Sequence, residues 1–81
     1  RGIATDALRA LTRHALAERG LHRVFAVPFA DNAPSCRVLE KAGYEREGLM
    51  RRSAVKEGRV RDQWLYAATD DAWLATHGGT A

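Results

Sequence analysis

Val24-Phe25-Ala26-Val27 is an uninterrupted apolar run, bounded by Arg23 and Pro28 and set between two stretches of helical patterning. A short run without polar alternation has the pattern of a strand covered on both faces, so it is expected to be a central strand in an α/β arrangement. Upstream, Ile3, Ala7, Leu8, Leu11 and Ala15 recur with helical spacing, while Asp6, Arg9, Arg13 and Glu18 point elsewhere. That spacing predicts a one-sided helix from Ile3 to Arg19. Gly20 supplies its C′ position, and Leu21 can fold back on the last turn.

Downstream, Asp31-Asn32-Ala33-Pro34 opens a second helix, because Asn and Asp satisfy free N–H groups at a helix start and Pro is tolerated in the first turn. Gly43 closes it. Ser35, Val38, Leu39 and Ala42 fall on one face, leaving Arg37, Glu40 and Lys41 toward water. A serine on an apolar face needs a partner, either the carbonyl four residues back or a ligand. Tyr44 to Val55 and Val60 to Ala67 then read as two strands joined around Lys56-Glu57-Gly58-Arg59, with Gly48 marking a bulge. In the second arm Val60, Asp62, Trp64 and Tyr66 share a face. Asp70 or Asp71 caps a last short helix carrying Trp73 and Leu74, and residues 77–81 read as a frayed tail.

The predicted order is therefore α-β-α-β-β-α around a mixed three-stranded sheet. The strand at residues 23–28 is expected to run parallel to the one starting at Tyr44, with the strand of residues 60–67 between them and antiparallel to both. A chain of 81 residues makes one small domain or part of one. Residues 1–76 are taken as that unit.

No apolar run approaches the ~20 residues of a membrane span, and no signal peptide is recognisable. Cys36 is the single cysteine, which suits a reducing cytoplasm, and the three histidines lack metal-ligand spacing, so no metal is expected. The net charge of +3 comes mainly from arginines scattered along the chain. Nucleic-acid binding would want a denser patch than the short clusters Arg51-Arg52 and Arg59-x-Arg61.

Arg1-Gly2-Ile3-Ala4-Thr5 reads as the end of a glycine-rich turn running into the first helix. Gly2 lets the backbone approach a ligand closely, and the free N–H groups of the first turn then face any anion docked there. A second motif follows, Asn32-x-x-Ser35-x-x-Val38-Leu39-x-x-x-Gly43-Tyr44. Together, over Arg1 to about Trp73, these resemble the C-terminal half of the GNAT superfamily of N-acetyltransferases. Its Q/R-x-x-G-x-G/A turn is matched at its last two defined positions by Gly2 and Ala4, and its N-x-x-S/A helix ending in G-F/Y by Asn32, Ser35, Gly43 and Tyr44. Residues 32–44, with Arg61-Asp62-x-x-x-Tyr66-Ala67, look most like the branch that acetylates N-terminal amines of ribosomal proteins.

The resemblance implies a GNAT fold without its N-terminal strands, acetyl-coenzyme A as cosubstrate, and direct attack by a primary amine, such as a protein N-terminus. It also implies that Arg1, Gly2, Ile3, Ala4 and Thr5 hold the pyrophosphate, that Asn32, Ser35 and Arg37 meet the rest of the coenzyme, and that Ser35 is the general acid. Many relatives place a Tyr four residues after the Ser/Ala position, where this chain has Leu39. The general base would lie among the preceding elements, so these residues alone are expected to be inactive and to self-associate. The competing expectation is a non-catalytic, incomplete domain that self-associates through an open edge or touches nucleic acid with its basic hairpin.

Overall fold

A computed structural model describes residues 2–77, so Arg1 and residues 78–81 of the expected tail lie outside the described residues. The elements are α1 (Ile3–Arg13) continued by a π-helical segment (His14–Glu18), β1 (Arg23–Ala26), α2 (Ala33–Lys41), β2 (Glu45–Lys56), β3 (Arg59–Thr69) and α3 (Asp70–His77). The strand order is β1-β3-β2, with β1 and β2 each antiparallel to β3. β1 and β2 therefore run the same way with β3 between them, as the sequence predicts. The sheet expected to be mixed is antiparallel at every ladder, because its two parallel strands share no hydrogen bonds.

β1 is an edge and not the expected central strand: among the described residues only β3 pairs with it. Val24 and Ala26 pack against the core, whereas Phe25 points to the other face and is 61% exposed. α1 also departs from expectation. Ile3 and Leu11, two anchors of its apolar stripe, are 81% and 64% exposed, and the helix buries Thr5, Thr12 and Leu16 instead. Thr12 is suited to that place, since its hydroxyl lies 2.7 Å from the Leu8 carbonyl and 2.7 Å from the Tyr44 hydroxyl. A buried hydroxyl so partnered loses little by leaving water. The last turn widens before it stops, with Arg19 N–H bonded to His14 O and Leu21 N–H to Ala15 O. That second bond brings Leu21 back over the last turn as expected, reaching one residue further than a standard six-to-one closure, with Gly20 at φ +69.

The hairpin turns through Glu57 and Gly58 alone, both with positive φ, so the strands reach one residue further at the turn than the sequence suggests. Ladder register shifts between Arg46 and Gly48, the expected bulge, and again between Met50 and Ala54. At the second shift Arg52 takes φ +54 and its N–H bonds the Asp62 carboxylate at 2.8 Å. α3 extends through His77, whose ring stacks on Trp73 at 4.6 Å, so His77 belongs to the fold and not to the tail.

The core is built from Leu16, Leu39, Ala42, Tyr44, Tyr66, Ala68 and Trp73. All three polar aromatics inside it are satisfied: Trp73 Nε1–H donates to Ala42 O at 2.8 Å, the Tyr66 hydroxyl donates to Glu40 Oε2 at 2.6 Å, and the Tyr44 hydroxyl pairs with that of Thr12. Burial, reinforced by that bond to Glu40, pushes the Tyr66 hydroxyl well above the ordinary tyrosine range.

Candidate active site

Gly2 starts α1 with φ +116, a backbone conformation that side chains with a Cβ rarely adopt. Asp6 N–H makes the first helical bond, to Gly2 O at 2.9 Å, so the N–H groups of Ile3, Ala4 and Thr5 have no acceptor inside the helix. They open onto a groove of about 610 Å³ between α1 and α2, lined along α1 by residues 2–6 and Arg9, and along α2 by Pro34, Arg37, Val38 and Lys41. Three cations against one carboxylate, Asp6, give this groove a positive balance. It can hold a phosphate by backbone N–H groups, helix dipole and guanidinium together.

A second hollow of about 580 Å³ adjoins the first, sharing Ala4, Pro34 and Val38 with it. Its other walls are Leu8 from α1, Ala26, Val27 and Pro28 from the end of β1, and Ser35 and Leu39 from α2. Ser35 is the one side chain there that carries a polar atom. The pair of hollows thus forms a cleft with a cationic end and an apolar end, and the Ser35 hydroxyl sits in the apolar part. Leu39, at the position where many relatives of this resemblance carry Tyr, lines the same wall and brings no hydroxyl.

The cleft brings together Gly2, Ile3, Ala4, Thr5, Ser35 and Arg37 of the residues singled out from sequence. Arg1 lies outside the described residues. Asn32 stands apart from the lining: its Oδ1 accepts the Ser35 N–H at 3.2 Å as the N-cap of α2, which leaves only its amide N–H groups for a ligand. Of the two partners open to Ser35, no bond from its hydroxyl to the carbonyl four residues back forms among the described residues.

Arg9 and Lys41 were missed by sequence reasoning. Arg9 Nη2 donates to Lys41 O at 2.7 Å, tying α1 to the end of α2, while its Nε is buried without a partner. The available signal was spacing, since Arg9 follows Thr5 by one helical turn and Lys41 follows Arg37 by one. Among the described residues no group of three His, Cys, Asp or Glu is placed to hold a metal. No helix among them is long and apolar enough to cross a membrane.

The first 45 residues match the acetyltransferase (GNAT) domain family over residues 1–45. The chain is 33% identical over 73 residues to the uncharacterized N-acetyltransferase YnaD of Bacillus subtilis, covering 90% of this chain and 43% of that protein. It is 30% identical over 73 residues to the ribosomal protein uS5-alanine N-acetyltransferase of Escherichia coli, covering 90% of this chain and 38% of that one. The crystal structure of a GNAT-family acetyltransferase from Bacillus anthracis superposes with a TM-score of 0.83 at 32% identity, covering 88% of this chain and 43% of the other. The chain thus spans less than half the length of the relatives it matches. Its glycine-started helix, capped Asn32 helix and strand order, together with the family match over more than half its residues, make this chain a member of the GNAT acetyltransferase family.

Proposed function

We propose that this chain forms the coenzyme-binding part of an N-acetyltransferase that moves acetyl from acetyl-coenzyme A to a primary amine by direct attack. The observation that carries the reading is the two-part cleft, cationic and rich in free N–H groups at one end and apolar at the other. A pyrophosphate suits the first and a thioester arm the second. Acetyl-coenzyme A supplies an acetyl group as a thioester, whose carbonyl carbon an amine can attack. The chain's own residues orient and stabilise. N–H groups of residues 3–5 and the Arg37 guanidinium face the phosphates, while Leu8, Val27, Pro28 and Leu39 exclude water from the arm. Asn32 keeps its amide N–H groups for the arm's carbonyls.

Ser35 Oγ is the proton donor proposed for the departing sulfur, because it is the hydroxyl in the apolar hollow. Similarity to the uS5-alanine enzyme makes a protein N-terminus the proposed acceptor. A cytoplasmic setting, suited to the free Cys36, belongs to the same proposal. Calorimetric titration of the chain with coenzyme A tests the cleft, with a Kd in the micromolar to low millimolar range expected. In a protein joining this chain to a GNAT N-terminal half, Ser35→Ala is expected to lower kcat by about 10²-fold with little change in coenzyme Kd. An unchanged kcat would remove Ser35 from the chemistry.

The free edge of β1 and the exposed Ile3, Leu11 and Phe25 favour a second property, self-association of these residues on their own. Light scattering that finds a monomer at high concentration refutes it.

A further inference from the structure

The two arginine clusters that look scattered in the sequence lie on the two arms of the β2–β3 hairpin. Between residues 49 and 61 the hairpin carries five cations and one carboxylate, Glu57, whereas the whole chain has a net charge of +3, so the remainder is slightly acidic. Arg61 is paired with Asp31, but among the described residues Arg51, Arg52, Lys56 and Arg59 enter no ion pair. Lys56 and Arg59 even stand directly opposite each other across the ladder. Like charges so placed destabilise a hairpin, and among the described residues no carboxylate pairs with either.

The cluster is also held in place. Lys56 Nζ lies 5.2 Å and Arg61 Cζ 5.3 Å from the centre of the Phe29 ring, and Phe29 bridges Gln63 of β3. Phe29 directly follows Pro28, which lines the apolar hollow with Ser35. Trp64 N–H bonds Pro28 O at 3.0 Å, and Ala30 N–H bonds Asp62 O at 2.9 Å, fixing the hairpin to this segment. A fixed cationic surface therefore borders the end of the cleft where acetyl transfer is proposed.

We propose that this hairpin tip is a docking surface for an acidic peptide segment of the acetyl acceptor, a reading that rests on the acetyl-transfer function above. Charge complementarity favours such a partner and disfavours a polyamine, which the same cations repel. A single-stranded nucleic acid fits less well, because the neighbouring aromatic faces are already covered. Arg46 lies 4.2 Å over Trp64, and Lys56 and Arg61 occupy Phe29, so no ring is left as a stacking platform there.

Fluorescence anisotropy of labelled short peptides with free N-termini, titrated with the chain at low and physiological salt, tests this. The acidic peptide is expected to bind at least about tenfold more tightly than its lysine-substituted counterpart, with the difference shrinking as salt is added. The doubly reversed variant Lys56→Glu, Arg59→Glu keeps a like-charged pair at the tip and leaves three cations against three carboxylates between residues 49 and 61, so its thermal midpoint should stay close to that of the parent while the preference for the acidic peptide disappears. Equal affinity for the two peptides, no binding of the acidic one, spermidine binding, or tighter binding of a uridine-rich oligonucleotide at physiological salt would each overturn the proposal. Coenzyme A is titrated separately: its failure to bind would remove the acetyl-transfer reading, whereas a missing peptide preference with intact coenzyme binding would remove the docking surface alone.

Discussion

Gly43→Ala is expected to be among the most damaging small substitutions in this chain. Gly43 has φ +95, and a Cβ built on it would lie 2.4 Å from His77 Cε1 and 2.8 Å from Trp73 Nε1. The backbone conformation alone costs an alanine roughly 1–2 kcal/mol. The contacts add about 1–3 kcal/mol of overpacking, because Trp73 is 2% exposed and its Nε1–H is already bound to Ala42 O. Rotating the residue to negative φ offers no escape, since Gly43 N–H to Glu40 O and Tyr44 N–H to Leu39 O close α2 in the present geometry. A loss of about 2–5 kcal/mol follows, a large part of the stability of so small a domain. Urea unfolding followed by tryptophan fluorescence measures it. In the Gly43→Ala background, His77→Ala should recover part of the loss by removing the nearer clash, leaving the Trp73 contact and the φ penalty. A destabilisation below about 0.5 kcal/mol, or no recovery on removing His77, would refute the packing argument.

At Gly2 space is open, the nearest atom to a built Cβ being Asp6 Oδ2 at 4.0 Å, so Gly2→Val acts through φ +116. Reorienting the first-turn N–H groups should weaken coenzyme binding by about tenfold or more, with little change in thermal midpoint; equal affinity in calorimetry would count against the anion site. The His22 hydrogen bond, 2.7 Å from Asp70 Oδ2, holds the Asp70 carboxyl below its ordinary range. Its contribution to stability is therefore present above the ordinary aspartate pKa and is lost as pH falls through the lowered folded value. The thermal midpoint should fall more steeply below about pH 4 in the parent than in Asp70→Asn, and parallel curves would show that the pair does not stabilise the fold.

Local backbone chemistry was legible in the sequence because it is settled among neighbouring residues. Asn32 caps α2, Gly20 and Gly43 follow the ends of the first two helices with positive φ, and Glu57-Gly58 turns the hairpin, each through bonds spanning a few positions. Strand order followed too, since a hairpin that returns beside β1 leaves β2 on the outside. The glycine-started end of the cleft was readable for the same reason: Gly2 with φ +116 and the helix start behind it are one local feature.

Burial and charge density were decided by tertiary structure. Of the stripe Ile3, Ala7, Leu8, Leu11 and Ala15, Leu8 packs on the core while Ile3 and Leu11 stay exposed, and the helix buries Thr12, whose hydroxyl meets that of Tyr44, thirty-two residues away. Helical periodicity identifies an apolar face but not the partner that will cover it. β1 has the composition of a central strand and an edge position, since strand neighbours are set by what else is present and not by the strand's own residues. Arg9 joins the groove only when α1 and α2 cross, and the ladder sets Lys56 opposite Arg59 while both Lys56 and Arg61 gather over Phe29. Hydrogen bonds between neighbours are written in short stretches of sequence, whereas electrostatic and packing energies depend on distances in space that a linear reading does not contain.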